Sequence, residues 1–351
     1  MMRSVRSDAD EPVLSIRGLV TEFETPDGIL RAVDGVSYEV YPGETLGVVG
    51  ESGSGKSVTV MSLLGLIPQP PGRIVSGEVM FADRDLLALS PSELRHVRGR
   101  EVAMIFQDPM TSLNPVIKVG SQIAEALLVH SNIGKELAKQ KAIDLLDQVG
   151  VPNPTDRFHQ YPHEYSGGMR QRAMIAMAMA NKPRLLIADE PTTALDVTIQ
   201  AQVMKVLKAA QEETNAATIL ITHDLGLIAE TANRVVVMYG GRVVETGDVE
   251  AIFGQPQHPY TLGLLSSLPR LDTRFERLEP IPGTPPNMIS PPSGCAFHPR
   301  CRLSRDRPRC VQEVPVLTGN DEGAAACHFS DEMVEERARV EERIGSNIGG
   351  R

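Results

Sequence analysis

Apolar and polar residues alternate with period two in "VLSIRGLVTEF" and in "GVSYEVYPGE", on either side of a "PDG" turn. The pattern predicts antiparallel strands between Val13 and Val40. "ETLGVVG" is a short unbroken apolar run, the mark of a strand buried on both faces, and a glycine-rich loop follows it. Between 90 and 165 the period changes. "PSELRHVRG" and "ELAKQKAIDLLDQVG" repeat at helical spacing and predict a helical insertion. "RLLIADE", "ATILITH" and "RVVVMYGGRVVETG" then return to strands spaced by helices, so the chain reads as α/β with a mostly parallel sheet. Beyond Gln255 come the Pro-rich "EPIPGTPPNMISPP" and a loop segment holding all four cysteines. The end, "DEMVEERARVEERIG", reads as an acidic amphipathic helix or a frayed tail, and the polar residues 1–12 are expected to be mobile.

A chain of 351 residues has room for two domains, or for one large domain with appendages. The net charge of −10 argues against a nucleic-acid partner, which needs a basic footprint to displace counterions. "MMRSVRSDADEPVLSIRG" has no apolar core of a signal peptide, and no run approaches the ~18 apolar residues of a membrane span. A soluble, cytosolic protein is expected, and in that reducing compartment the cysteines are not expected to form disulfides.

"GVVGESGSGKSV" contains G-x-x-x-x-G-K-S from Gly50 to Ser57, after an apolar strand and before a helical run. In such a loop Gly50, Gly53 and Gly55 let successive backbone N–H groups turn inward around phosphates, with Ser52, Ser54 and Val58 beside them. The helix starting near Gly55 adds its positive N-terminal end. Lys56 can reach the β- and γ-phosphates, and the Ser57 hydroxyl can bind Mg²⁺. This is a nucleoside-triphosphate site.

The second informative text is "YSGGMRQRAMIAMAMANKPRLLIADEPTTALD". Ser166, Gly167 and Gly168 open a helix and form another anion-binding tip, while the Met/Ala run behind them fills one helix face. The strand "LLIAD" delivers Asp189 to its end, where a carboxylate can hold Mg²⁺ through water. Glu190 follows, placed as general base for an attacking water. His223, after "ATILI", ends another strand and either contacts the γ-phosphate or is structural.

These motifs, in this order and spacing, resemble the ATP-binding-cassette (ABC) ATPases over roughly residues 13–255. The resemblance implies a P-loop NTPase (RecA-like) core with an antiparallel β subdomain and a helical subdomain at about 90–165. Gly50–Ser57 looks like the Walker A loop. Gln107 in "MIFQDP" looks like the Q-loop glutamine, a further Mg²⁺ ligand facing the membrane partner. Ser166–Met169 looks like the signature motif, with Met169 where Gln is commoner. Asp189 and Glu190 look like Walker B and the catalytic glutamate, Ala194–Asp196 like the D-loop, and His223 like the switch histidine. Phe23 falls where the family places an aromatic on adenine, a position where packing against a strand is the other reading. The family closes head to tail as a dimer, with the Ser166–Met169 tip acting in trans on ATP held by the other subunit.

"MIFQDPMTSLNPV", "YPHEYSGGMRQRAMIAMA" and "PQHPYTLGLLSSLP" narrow the resemblance to cassette subunits of dipeptide/oligopeptide importers, a group that includes nickel importers. That implies two transmembrane permeases, a second ATPase subunit (unlike or identical), an extracytoplasmic binding protein and a place on the cytoplasmic face of the membrane. It also implies an extension at 256–330 and an acidic tail at 331–351. A soluble cassette of translation is the remote alternative.

The cysteines are spaced Cys295-x5-Cys301-x8-Cys310-x16-Cys327, without the close pairs usual in structural zinc sites. Gly/Pro-rich loops of this kind need a staple. Four thiolates suit a 4Fe–4S cluster, whose anionic charge Arg300, Arg302, Arg305, Arg307 and Arg309 would balance. Zn²⁺ and metal-free thiols are the alternatives. The resemblance favours the cluster, since many such ATPases carry a "GCxFHPRC…C…CH" motif assigned to 4Fe–4S; His298 and His328 flank the ligands.

Overall fold

The computed structural model describes residues 11–107, 112–192, 196–267, 280–304, 307–320 and 323–338. Strands β1 (Leu14–Thr25) and β2 (Gly28–Val40) form the expected hairpin about Pro26 and Asp27. Strand β3 (Thr45–Val49) is buried at all five positions and runs through the glycine loop into helix α1 (Lys56–Leu63). Next come β4 (Gly72–Phe81), β5 (Arg84–Asp85) and α2 (Pro91–Val97), which starts with a reciprocal cap between Ser90 and Glu93. They are followed by β6 (Val102–Ile105), α3 (Val119–His130), α4 (Lys135–Gln148), α5 (Pro154–Arg157) and α6 (Gly167–Met179). The chain continues through β7 (Leu185–Asp189), α7 (Val197–Thr214), β8 (Ala217–Ile221) and α8 (Leu225–Thr231). A tight hairpin joins β9 (Arg234–Tyr239) to β10 (Arg242–Asp248). Its two central residues, Gly240 and Gly241, have φ of 54° and 75°, the left-handed pair a two-residue turn requires. Helices α9 (Val249–Gly254), α10 (Pro259–Ser266) and α11 (Pro308–Gln312) and strands β11 (Thr318–Asn320) and β12 (Gly323–Ala325) complete the described elements used below.

The chain divides into two compact units. The first comprises residues 1–15, 39–45 and 79–221. In it β6, β7 and β8 lie side by side and parallel, with Val102 opposite Leu185 and Leu185 opposite Ala217. Helix α3 packs on α4, both pack on α6, and α6 packs on α7 and β6. The segment 90–165 therefore holds a strand as well as helices. "VAMI" is too short for its period to separate strand from helix, and pairing with β7 decides the matter.

The second unit comprises residues 16–38, 46–78 and 222–351. In it β1 lies between β2 and β4, and a further sheet runs β3-β9-β10-β12-β11. β3 and β9 are parallel, with Val48 opposite Val236. From β9 outward the strands are antiparallel, with Glu245 of β10 opposite Ala325 of β12. These last strands come from the cysteine-bearing segment and were not foreseen. "GAA" carries no strand signal of its own and is recruited by the open edge of β10. Among the described residues no helix is long and apolar enough to cross a membrane.

Candidate active site

The loop between β3 and α1 has the geometry its glycines foretell. Gly53 and Gly55 take φ of 78° and 100°, conformations that other residues adopt only under strain. A Cβ at Gly55 would also stand 2.4 Å from the Ala32 carbonyl oxygen. The loop is closed from inside by Lys56, whose ammonium donates to the carbonyls of Gly50 (2.8 Å) and Glu51 (3.0 Å). Ser54 is buried and its hydroxyl has no protein partner, a polar atom turned into the loop. Ser52 and Gly53 are exposed at the tip, and Ser57 and Val58 lie half-buried in the first turn of α1. A buried loop hydroxyl without a partner and a helix N-terminus behind it suit a polyphosphate.

In the other unit β7 carries Asp189 to its C-terminal end, where the residue is 5% exposed. Glu190 follows in a left-handed conformation, φ 47°, which is costly for a residue with a Cβ. Its backbone N–H donates to the Ile221 carbonyl at the end of β8 (2.8 Å), and Gln107 Nε2 donates to its carboxylate Oε2 (2.8 Å). The strain turns the Glu190 side chain off the strand's alternation and toward Gln107, just past β6. The structure thus brings together two residues 83 positions apart that the sequence analysis chose separately.

Ser166 is the N-cap of α6, and its hydroxyl accepts from the Met169 N–H (3.3 Å). Ser166 and Gly167 are exposed, and Gly168 and Met169 half-buried. Gly168 also has a packing duty, since a Cβ there would meet Ile199 Cγ2 of α7 at 2.7 Å. Of the expected D-loop, Ala194 lies outside the described residues, while Asp196 caps α7 by accepting from the Ile199 N–H (3.0 Å). In the second unit His223 is exposed between β8 and α8, and the adjacent Asp224 caps α8. Phe23 is half-buried at the end of β1. A Cβ at Gly72 would stand 2.9 Å from its ring, so packing against the start of β4 is part of its role.

Sequence reasoning missed the residues that hold the loop from the C-terminal side. Glu51, the loop's second residue, donates its backbone N–H to the Tyr260 hydroxyl of α10 (2.7 Å). Its carboxylate accepts from both terminal nitrogens of Arg300, at 2.5 and 2.9 Å. The pairing raises the Arg300 guanidinium above its ordinary range, and burial raises the Tyr260 phenol, which stays protonated. A usable signal was present: "HPY" and "FHPRC" each place a large polar-tipped residue in an otherwise loop-forming stretch.

The description of ABC transporters matches residues 33–193, and that of the oligopeptide/dipeptide transporter C-terminal region matches residues 244–310. The chain is 53% identical to the dipeptide transport ATP-binding protein DppD of Bacillus subtilis, over 83% of this chain and 87% of that one. It is 55% identical to the oligopeptide transport ATP-binding protein OppD of the same organism, over 81% and 80%. The chain belongs to the ABC transporter ATPases, in their dipeptide/oligopeptide branch. A dimeric structure of the bacterial ABC transporter cassette MJ0796 shares the fold with a TM-score of 0.60 and 25% identity, covering 67% of this chain and 98% of that one.

In this ABC ATPase Cys295, Cys301, Cys310 and Cys327, the expected iron–sulfur ligands, are free thiols, with Cys310 buried and the other three half-buried. Among the described residues, no group of three or more His, Cys, Asp or Glu side chains is placed to hold a metal ion. The thiols do sense one another. Burial pushes Cys301 up to about 12 and Cys327 up to about 11, and raises Cys295 and Cys310, with neighbouring cysteines adding to the shifts in all but Cys310. Three of the arginines expected to balance a cluster also have carboxylate partners, and Arg307 and Arg309 act on the Cys310 thiol as well. Arg300 pairs with Glu51, Arg307 with Glu332 (2.8 Å, bidentate) and Arg309 with Glu313 (3.1 Å); Arg305 lies outside the described residues.

The extension is also held by an aromatic cluster in which Tyr239, Tyr260 and Phe297 have centroids 4.6–5.4 Å apart. Beside it lies His258, fully buried, its Nδ1 accepting from the Tyr260 N–H (3.1 Å). Burial pushes its pKa down to about 3. Glu245 accepts from the backbone N–H of Gln257 (2.5 Å) and His258 (3.0 Å), yet burial outweighs both and pushes its carboxyl up to about 7.

Proposed function

We propose that this chain powers import of di- or oligopeptides by hydrolysing ATP on the cytoplasmic face of a membrane. The observation that carries the reading is the tandem of an ABC ATPase region and an oligopeptide/dipeptide-type C-terminal region in one chain. The ATP phosphates bind on Gly50–Ser57. Ser57, Gln107 and Asp189 supply the all-oxygen donor set that a hard divalent cation prefers, and Mg²⁺ held there would neutralise phosphate charge. Glu190 takes a proton from the attacking water, kept in place by Gln107. His223 donates to the γ-phosphate, and Phe23 stacks on the base. The Ser166–Met169 tip, exposed at Ser166 and Gly167, acts in trans on ATP bound to a partner subunit, so ATP stabilises only the closed pair.

The partners of this reading are two transmembrane permeases, a second ATPase subunit, unlike or identical, and an extracytoplasmic binding protein that selects the cargo. Domain limits follow the same reading, with the cassette at 13–255 and the extension at 256–330. The cassette's catalytic tests are independent of cargo. For transport, cells whose native chain is replaced by the Glu190→Gln variant should lose uptake of labelled di- and oligopeptides; unchanged peptide uptake with lost nickel uptake would assign the chain to the other cargo class.

The finer reading of the cysteine segment, a 4Fe–4S cluster with zinc as the alternative, rests on the sequence motif and gains no ligand set from the fold. No step of hydrolysis is routed through it. Anaerobically purified full-length protein with broad absorbance near ~400 nm carries the cluster; a colourless zinc-containing protein carries the alternative, and a colourless metal-free protein carries thiols only.

A further inference from the structure

We propose that the C-terminal extension sets the nucleotide affinity of the phosphate-binding loop through Glu51, with Arg300 and Tyr260 as positioning residues. The inference rests on Gly50–Ser57 being that loop. Three observations converge on this one residue. The Glu51 carboxylate is gripped by both terminal nitrogens of Arg300 (2.5 and 2.9 Å). Its N–H donates to the Tyr260 hydroxyl (2.7 Å), and its carbonyl accepts from Lys56 (3.0 Å). Every polar group of Glu51 is therefore fixed, two from the extension side and one by the loop's own lysine.

The grip is built to be rigid. The Arg300 side chain is 5% exposed, and its Nε donates to the Pro282 carbonyl (2.8 Å). Its guanidinium lies 5.7 Å from the Tyr239 ring centroid and 5.9 Å from that of Phe297. Nη1 also donates to the Tyr239 hydroxyl (3.3 Å). Tyr239 ends β9, and two residues on, the Gly241 N–H donates to the Ser54 carbonyl inside the loop (3.1 Å). Arg300 thus sits in a frame continuous with the loop it holds.

The charge logic gives the proposal its direction. A carboxylate one residue into a loop that binds polyphosphate would repel the ligand if left alone. Bidentate pairing with a buried arginine neutralises it and aims it away from the loop interior. Loss of Arg300 should therefore weaken ATP binding through the freed Glu51 charge, and removal of that charge should restore it. A contact that merely supports the fold makes no such prediction, because a second lesion would then weaken binding further.

The test is equilibrium titration of the full-length protein with MgATP carrying a fluorescent ribose label. Arg300→Ala should weaken binding by about tenfold or more, with a larger loss for ATP than for AMP. The double variant Arg300→Ala, Glu51→Gln should recover most of that loss, and Arg300→Lys should fall between wild type and Arg300→Ala. Tyr260→Phe, which keeps the aromatic cluster, should weaken binding by roughly two- to fivefold, the worth of one net hydrogen bond. If Arg300→Ala does not fold by circular dichroism, Arg300→Met keeps the apolar contacts to Tyr239 and Phe297 and takes its place. Wild-type affinity in the single variant, or a double variant as weak as the single, overturns the proposal. Lys56→Ala separates the two readings: if it binds MgATP as well as wild type, the loop assignment itself fails. If it loses binding while Arg300→Ala keeps it, only the role of the extension fails.

Discussion

Gln107 Nε2 donates to Glu190 Oε2 across 2.8 Å, and Glu190 meets it from a left-handed backbone conformation, φ 47°. A non-glycine residue keeps such a conformation only where its surroundings over-determine it. Here the Glu190 N–H bond to Ile221 and the Gln107 contact do so. The strain is used to point one carboxylate at one place.

Replacing that carboxylate by its amide keeps the shape and removes the base. Glu190→Gln should bind MgATP with near wild-type affinity and hydrolyse it at least about a hundredfold more slowly. Single-turnover hydrolysis alongside nucleotide titration checks this, and near-normal turnover would remove Glu190 from the role.

Gln107→Ala should act on turnover more than on binding, because it frees the Glu190 carboxylate to leave its aim. A drop of about tenfold in kcat with a change of less than about threefold in KM is expected, the pattern of a group that acts on the transition state. A larger effect on KM than on kcat would make Gln107 mainly a ligand of bound Mg²⁺.

Gly168→Ala should destabilise the cassette by about 1–3 kcal/mol, the usual cost of one carbon too many in a packed contact. The new Cβ would stand 2.7 Å from Ile199 Cγ2. Pairing it with Ile199→Ala should return part of the loss in a urea titration. No recovery would show that the glycine is needed for the helix tip and not for its packing.

The extension should show a pH signature of two opposed groups. The Glu245 carboxyl, ordinarily at 4.5, is at about 7 in the fold, so its contribution is fully present below 4.5 and lost as pH rises through 7. His258, ordinarily at 6.5, is at about 3, so its contribution is fully present above 6.5 and lost as pH falls toward 3. Between 6.5 and 4.5 the two offset each other. In Glu245→Gln only the His258 loss remains, so stability should fall from pH 6.5 downward. Relative to wild type, that fall should be on the order of 2 kcal/mol by pH 4.5. Urea titrations across that range read the difference directly, and parallel curves would refute the pairing.

Much of the candidate site was legible because its motifs are local. The loop Gly50–Ser57 needs its glycines, lysine and serine within eight consecutive positions, and the tip Ser166–Met169 needs four. A strand that ends on Asp189 announces itself by the apolar run before it. Relations across long separations were hidden: Gln107 meets Glu190 from 83 positions away, and Arg300 meets Glu51 from 249. The arginines of the cysteine segment were read by proximity in sequence, as counter-charges to a cluster, and that reading hid the carboxylate partners the fold gives three of them.

By itself the sequence determined the family, the nucleotide chemistry and many of the strands and helices, because period, glycine placement and short motifs act over a few residues. Only the tertiary structure decided that β12 extends the edge of β10, that Tyr239, Tyr260 and Phe297 knit the extension together, and that Arg300 holds Glu51. Backbone edges, ring faces and buried charges take whatever partner the folded chain brings within reach. That choice depends on distance in space, which no local pattern encodes.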